Sequence, residues 1–403
     1  MNDNNYSSHE NGEQNNEKND CGKEEIRFDD WDFDNSHSGH FENNNNTYGN
    51  GYTNRSYNGF EDFKVNEDSP RAPLIDEARE KSNFNRIGAG YLLFSLISSA
   101  VALIIQFSVL VLNAELLDNL LFINLLSPVC LYLFALPVLL TVLSRCEAKA
   151  PEKKKLGVGK FLLFVITAFG FMYIGALVGN AFMDLLSGWV GYDYSNGLDS
   201  IIDEDNIWVT AIFTVIVAPI GEEFVFRKLL IDRTQKYGAF ISIGLSGLMF
   251  GLMHGNFYQF FYAFALGLLL GYIYFHTGKL YLTIAIHAIV NFVGSVLTSF
   301  LTPISEKLLE LNVDDTESYM TFIQENLIGV IAILAFDLFV YGSMACAIIF
   351  TIVFRKKLSF PGGEVFIPRE KVTSVVILNG GILAMLIVYL LEFGLNIFLP
   401  LLA

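Results

Sequence analysis

Long apolar segments dominate the chain from Gly88 onward, and short polar connectors separate them. A helix needs about 20 apolar residues to cross the hydrocarbon core of a bilayer, and these segments have that length. Hydrophobic residues make up 52% of the chain and the mean hydropathy is +0.42, which excludes an ordinary water-soluble globular protein. The sequence therefore predicts an all-α fold, a polytopic membrane helix bundle of eight or nine spans. The predicted spans lie near residues 88–112, 119–143, 160–182, 207–228, 239–257, 259–275, 280–301, 326–354 and 373–402.

Residues 1–86 differ in composition from the rest, because they are acidic and rich in Asn, with an unbroken Asn run at 43–46. Such a segment buries too little apolar surface to offset its ordering entropy, so we predict a disordered tail. Acidic and aromatic residues alternate at 28–34, a pattern that can dock a cytoplasmic partner. A solvated spacer is the interpretation that we favour for this tail. Residues 87–403 form the predicted multi-pass membrane domain.

Charge and cysteine content exclude three further classes of protein. The formal net charge is −16, which is the wrong sign for a nucleic-acid-binding protein. The four cysteines have neither the spacing of a zinc finger nor the density of a disulfide scaffold.

The connectors between the apolar segments alternate in sign, which predicts the orientation of the spans. Lysine and arginine are retained in cytoplasmic connectors, so the basic connectors and the N-terminal tail are predicted to be cytoplasmic. We expect a multi-pass integral protein of the cell (plasma) membrane. The basic connectors lie at 145–160, 227–236 and 355–357, and the acidic ones at 115–118, 193–205 and 306–317.

Six of the polar side chains inside the predicted spans lie in three short stretches, at a depth where an ionisable group costs about 3 kcal/mol even on lenient insertion scales. A single such residue is most simply a hydrogen bond between helices, but six together predict a functional site. Residues four apart share a helix face, so Glu223 can pair with Arg227, and His287 and Asn291 point to one spot. The six residues are Glu222, Glu223, Arg227, His254, His287 and Asn291.

Gly238 lies sixteen residues after Glu222 and sixteen before His254. If Tyr237 and Gly238 form the turn of an antiparallel helix pair, Glu222 and His254 reach the same height. Glu222 lies roughly six residues below the charged stretch that marks the cytoplasmic boundary. At 1.5 Å per residue, its depth is about 9 Å. His287 follows the next cytoplasmic connector by a similar distance, so we expect the three side chains to line one water-filled cavity.

A carboxylate beside an imidazole can hold and deprotonate a water molecule, and Glu222 with His254 supplies that pair. Water attack on a peptide carbonyl builds negative charge on oxygen, which needs preorganised donors. His287 and Asn291 suit that role, while Arg227 would keep Glu223 ionised. The residues therefore suggest hydrolysis of an amide inside or at the edge of the membrane.

Three short motifs carry a resemblance to a known family: Glu222–Arg227 (EEFVFR), Phe250–His254 (FGLMH) and His287–Asn291 (HAIVN). In order and spacing they resemble the CAAX-protease and bacteriocin-processing family of intramembrane peptidases, over about 205–300. That family includes the type II CAAX prenyl endopeptidases. One departure is Lys228, where the family often has Gly, and we expect it to affect substrate approach only locally.

The resemblance implies an endopeptidase that acts on a membrane-associated peptide or protein, lipidated or CAAX-like, in contact with the lipid bilayer. It implies that Glu222 and His254 activate water, and that His287 and Asn291 form the oxyanion site. Glu222, His254 and His287 would equally serve as three zinc ligands, and of these alternatives we favour a site without a metal.

Three alternatives compete with this interpretation. The same family includes non-catalytic membrane scaffold and bacteriocin-immunity proteins, in which the polar cluster would only join helices. A transporter would use buried Glu and His side chains as a proton relay. The sequence Gly244-Leu245-Ser246-Gly247 has the form of a rhomboid serine protease motif, but that mechanism leaves most of the six polar residues without a role.

Overall fold

The computed structural model describes residues 76–194, 207–311 and 315–402, and the predicted tail at 1–75 lies outside the described residues. Within the described ranges the chain is helical and forms no strand, and a single isolated bridge joins Gly238 to Gly362. In the described residues nine helices build the bundle: α1 Glu77–Leu112, α2 Leu120–Leu143, α3 Val158–Val190, α4 Ile207–Tyr237, α5 Ala239–Leu252, α6 Phe257–Thr277, α7 Leu280–Glu310, α8 Leu327–Phe354 and α9 Gly380–Leu401. Shorter helices occupy Ala114–Asp118, Thr316–Glu325 and Arg369–Val372.

Eight of these helices are long and apolar enough to cross a membrane, which confirms the predicted all-α membrane bundle. The exception is α5, which has 14 residues and so extends about 21 Å, less than the roughly 30 Å of a hydrocarbon core. The predicted fifth span at 239–257 is therefore a short helix, and it ends just before His254.

The first helix begins at Glu77, ten residues earlier than the predicted start of the membrane domain. The side chain of Asp76 caps it by accepting a hydrogen bond from the backbone N–H of Arg79 at 3.0 Å. Phe84 and Ile87 are buried in the core, which explains why these residues are helical although their neighbours are polar. Residues 77–86, which composition placed in the tail, thus belong to α1.

The basic connectors meet at one end of the bundle, in agreement with the alternation of charge along the sequence. The start of α1 lies at the same end, because the ammonium of Lys371 contacts the carboxylate of Glu77 at 2.6 Å. This common end is called the basic end below. Backbone hydrogen bonds join its connectors, pairing Lys149 with Asp232, Lys154 with Thr277, and Lys236 with Val365.

The turn between α4 and α5 lies at Gly238, as its equal spacing from Glu222 and His254 predicted. Gly238 has a φ of +97°, which favours glycine because a Cβ would be strained there. The helices on either side of this turn, α4 and α5, are antiparallel and pack against each other. Helix α5 also packs closely against α6. The end of α5 therefore lies beside the middle of α4, where Glu222 is located.

Candidate active site

Glu223 and Arg227 form an ion pair on α4, as their spacing predicted. The Nε atom of Arg227 lies 3.0 Å from Oε2 of Glu223, and both side chains are fully buried. The segment Phe224–Leu229, which contains Arg227, has π-helical geometry, and such segments are frequent at functional sites. Among the described residues Nη2 of Arg227 has no hydrogen-bond partner, so this guanidinium depends heavily on its carboxylate.

Ser246 on α5 is the second partner of Arg227. Its buried hydroxyl accepts a hydrogen bond from Nη1 of Arg227 at 3.1 Å and donates one to the carbonyl of Phe226 at 2.8 Å. A serine nucleophile needs a general base at its hydroxyl, and in the described part of the chain no histidine is bonded to Ser246. Ser246 therefore ties α5 to α4, and these contacts give the serine-protease interpretation no support.

His287 on α7 lies between two carboxylates. Its Nδ1 is 3.0 Å from Oε1 of Glu223, and its Nε2 is 3.7 Å from Oε2 of Glu222. The ring is almost fully buried, whereas the side chain of Glu222 keeps 18% of its surface exposed. Glu223 accepts the hydrogen bond from Nδ1, and Nε2 is the ring nitrogen that faces Glu222.

His254 follows the C-terminus of α5, and a backbone contact orients its ring. Nδ1 lies 2.8 Å from the carbonyl oxygen of Phe250. A carbonyl can only accept, so Nδ1 carries the hydrogen and the neutral ring keeps Nε2 as an acceptor. No direct hydrogen bond or ion pair joins His254 to Glu222 across the described ranges of the chain.

The Phe250 ring connects the charged residues to both histidines. Its centroid lies 5.1 Å from the ring of His254 and 5.7 Å from that of His287, with both pairs edge to face. The guanidinium carbon of Arg227 is 4.8 Å from the same centroid. Three of the six predicted site residues thus contact one aromatic side chain, and the two glutamates contact Arg227 and His287 beside it.

Asn291 lies one turn beyond His287 on α7, and its side chain contacts an earlier part of α4, the same helix that His287 contacts. Its Nδ2 donates to the backbone carbonyl of Thr214 on α4 at 2.8 Å. Thr214 belongs to the π-helical segment Ile212–Val217 that precedes the glutamates. The amide is therefore held in place by α4, and one N–H of the side chain is left for another acceptor.

Comparison with known proteins relates the central part of the chain to one family. Residues 204–293 match the family model of the Rce1-like type II CAAX prenyl endopeptidases. The matched segment contains all six predicted residues and confirms the resemblance that the three motifs carried. No curated protein and no solved structure matched the chain. Together with the eight apolar helices, the Rce1-like match supports an integral membrane protease of the CAAX type in general.

Tyr132 on α2 is a neighbour of this Rce1-like site that the sequence analysis missed. A Cβ atom at Gly221 would lie 2.1 Å from the hydroxyl oxygen of Tyr132, so the phenol rests directly on the backbone beside Glu222. Only glycine leaves room for this approach. Tyr132 lies ninety residues before Glu222 in an apolar segment without a motif, and no feature of the sequence distinguishes it from a packing residue.

The zinc alternative gains no support from the side-chain arrangement. Over the described residues, no group of three or more His, Cys, Asp and Glu side chains is arranged to hold a metal ion. Glu222, His254 and His287 are neighbours. Glu223 and the Phe250 carbonyl each bond Nδ1 of one histidine, and Nε2 of each ring is the nitrogen that would bind a metal.

Proposed function

We propose that this chain is an intramembrane endopeptidase that hydrolyses a peptide bond of a membrane-associated substrate, lipidated or CAAX-like. The observation that carries the proposal is the convergence of Glu222, His254 and His287 from three separate helical segments. Their convergence inside the segment that matches the Rce1-like family supports catalysis over a purely structural role.

Glu222 and His254 activate the attacking water in this mechanism. Glu222 is the partly exposed member of the glutamate pair, so its carboxylate can reach a water and the substrate. Nε2 of His254 is available as an acceptor because Nδ1 donates to Phe250. Glu222 takes the proton as the water attacks the carbonyl carbon and delivers it to the leaving amine.

His287 and Asn291 stabilise the oxyanion that forms in this attack. Nδ1 of His287 is anchored on Glu223, and Arg227 in turn neutralises Glu223. This series of contacts fixes the ring so that Nε2 points into the site. Because Nδ1 already donates to Glu223, Nε2 donates to the oxyanion when both ring nitrogens carry a hydrogen. The amide of Asn291 is held by the Thr214 carbonyl, and such preorganised donors contribute to catalysis because they need no reorientation.

The test compares peptide termini in membranes that contain the wild-type protein or its His254→Ala variant. We expect new termini, from cleavage near the cytoplasmic face of membrane proteins, in the wild type and none in His254→Ala. His276→Ala is the matched control, because His276 is a buried histidine at the basic end, bonded to the carbonyl of Ser359. Equal termini in wild type and His254→Ala would contradict the proposed role of His254.

We also expect the activity to survive removal of divalent metal ions. The purified protein would be dialysed against a strong chelator, and cleavage of a substrate found above would be measured before and after. The reason is that Glu222 and two imidazoles suffice for general-base chemistry. Loss of activity that only added zinc restores would instead assign Glu222, His254 and His287 as metal ligands, and metal analysis of the untreated protein provides a second measurement.

The orientation of the protein in the membrane is a further part of this proposal. We propose that the basic end faces the cytoplasm, because lysine and arginine are retained in cytoplasmic connectors, and that the N-terminal tail lies on that side of the cell membrane. The tail then has access to cytoplasmic partners, while the bilayer delivers the substrate to the site. Cysteine labelling of tail and connector positions in intact and permeabilised cells would test this orientation.

A further inference from the structure

A cavity at the basic end lies apart from the active site and is lined mainly by cationic side chains. Its volume is about 360 Å³, within the usual range of small-molecule sites. It lies where the start of α1, the connector after α2 and the end of α4 meet. This basic cavity is lined by Arg79, Ser82, Asn83, Arg86, Arg145, Glu147 and Lys236.

A buried hydrogen-bond cluster fixes one wall of the basic cavity. The carboxylate of Glu80 accepts hydrogen bonds from the hydroxyl of Tyr237 and from Nδ2 of Asn83, the latter at 3.0 Å. The ammonium of Lys236 lies 3.4 Å from the same carboxylate. These contacts join α1 to the end of α4, so the wall is set by tertiary structure.

The three arginines of the cavity differ from Lys236 in their ion pairing. In the part of the chain that the structure describes, Arg79, Arg86 and Arg145 make no ion pair, whereas Lys236 pairs with Glu80. Glu147 is the sole acid among the lining residues. Three other cations of the basic end do have carboxylate partners: Lys149 pairs with Glu364, Lys228 with Asp232, and Lys371 with Glu77.

Basic residues at a cytoplasmic boundary commonly reflect only the orientation rule. The basic cavity differs because guanidinium groups from two separate segments converge on one concave surface instead of projecting singly into solvent. Guanidinium groups bind phosphate oxygens through paired hydrogen bonds, and basic pockets between membrane helices at this level bind phosphorylated headgroups.

We propose that the basic cavity is a binding site for a phosphate-bearing anion, either the headgroup of an anionic phospholipid or a soluble phosphomonoester. Arg79, Arg86 and Arg145 bind the phosphate oxygens, and Ser82 and Asn83 line the same cavity with polar groups. The proposal is independent of the proteolytic function, since the cavity contains none of the catalytic residues.

The test measures binding of three probes to the purified full-length protein in detergent. The probes are a short-chain phosphatidylinositol bisphosphate, soluble inositol trisphosphate and inorganic phosphate. The Arg79→Gln/Arg86→Gln/Arg145→Gln variant should bind the lipid about 100-fold more weakly, because each arginine near anionic headgroups contributes about fivefold. The control Arg355→Gln/Lys356→Gln/Lys357→Gln removes the same charge at the same end and should change affinity less than about threefold.

A second variant distinguishes binding inside the cavity from a general attraction of anions to the positive surface. Ser82→Trp fills the cavity without changing its charge, and we expect it to weaken binding as well. Equal losses in both triple variants, or full binding by Ser82→Trp, would overturn the proposal. Tighter binding of the lipid than of inositol trisphosphate would identify a membrane ligand, and equal binding a soluble one. Unchanged thermal unfolding midpoints would show that the variants are folded.

Discussion

Glu222→Gln is expected to abolish peptide-bond cleavage while the protein still inserts and accumulates normally. The substitution keeps the size and a hydrogen-bonding group but removes the base that deprotonates the attacking water. Loss of a general base costs about 10²- to 10⁴-fold in rate. Cleavage of a co-expressed membrane substrate, normalised to the amount of the protein in the membrane, is the measurement.

Asp184→Asn is the matched control for this variant. Asp184 is a carboxylate on a membrane helix, α3, but it is exposed and far in sequence from the three motifs. We expect it to retain wild-type cleavage. Full activity of Glu222→Gln would contradict the peptidase mechanism and favour the membrane scaffold interpretation, in which the polar cluster only joins helices.

Arg227→Met is expected to destabilise the fold itself, by about 3–5 kcal/mol, because it leaves the buried carboxylate of Glu223 without its cation. Arg227 also bonds Ser246 and packs on Phe250, so the contact between α4 and α5 loosens. The thermal unfolding midpoint in detergent and the steady-state abundance in membranes should both fall.

The double variant Glu223→Gln/Arg227→Met separates the charge effect from the loss of packing. Removing both charges eliminates the unpaired ion, so most of the lost stability should return, although cleavage should remain impaired. Gln at this position can still accept the hydrogen bond from His287. If the double variant were as unstable as Arg227→Met, the unpaired charge would not be the cause.

Local patterns were sufficient to predict several features of this protein. Runs of about 20 apolar residues predicted the helices, since only helices satisfy the backbone in hydrocarbon. The four-residue spacing of Glu223 and Arg227 predicted their ion pair, because side chains so spaced share a helix face. The glycine midway between Glu222 and His254 marked the turn of the helix pair. The three motifs identified the family segment that the comparison confirmed.

Helix boundaries and side-chain contacts between helices could not be predicted from these local patterns. The start of α1 at Glu77 depends on burial of Phe84 and on the bonds of Glu80 with Tyr237, which is distant in sequence. The sequence predicted that His287 and Asn291 share a helix face, but not which groups on α4 hold them. Glu223 binds His287, and the Thr214 carbonyl binds Asn291.

The sequence by itself determined that this chain is a membrane bundle with six polar residues in three motifs, because helix length and helix periodicity are local properties. Only the tertiary structure decided how these residues meet. Phe250 lies against both histidines, Ser246 ties Arg227 to α5, and Tyr132 rests on Gly221, since contacts between helices depend on which faces pack together. Periodicity along one helix carries no information about its neighbour's face.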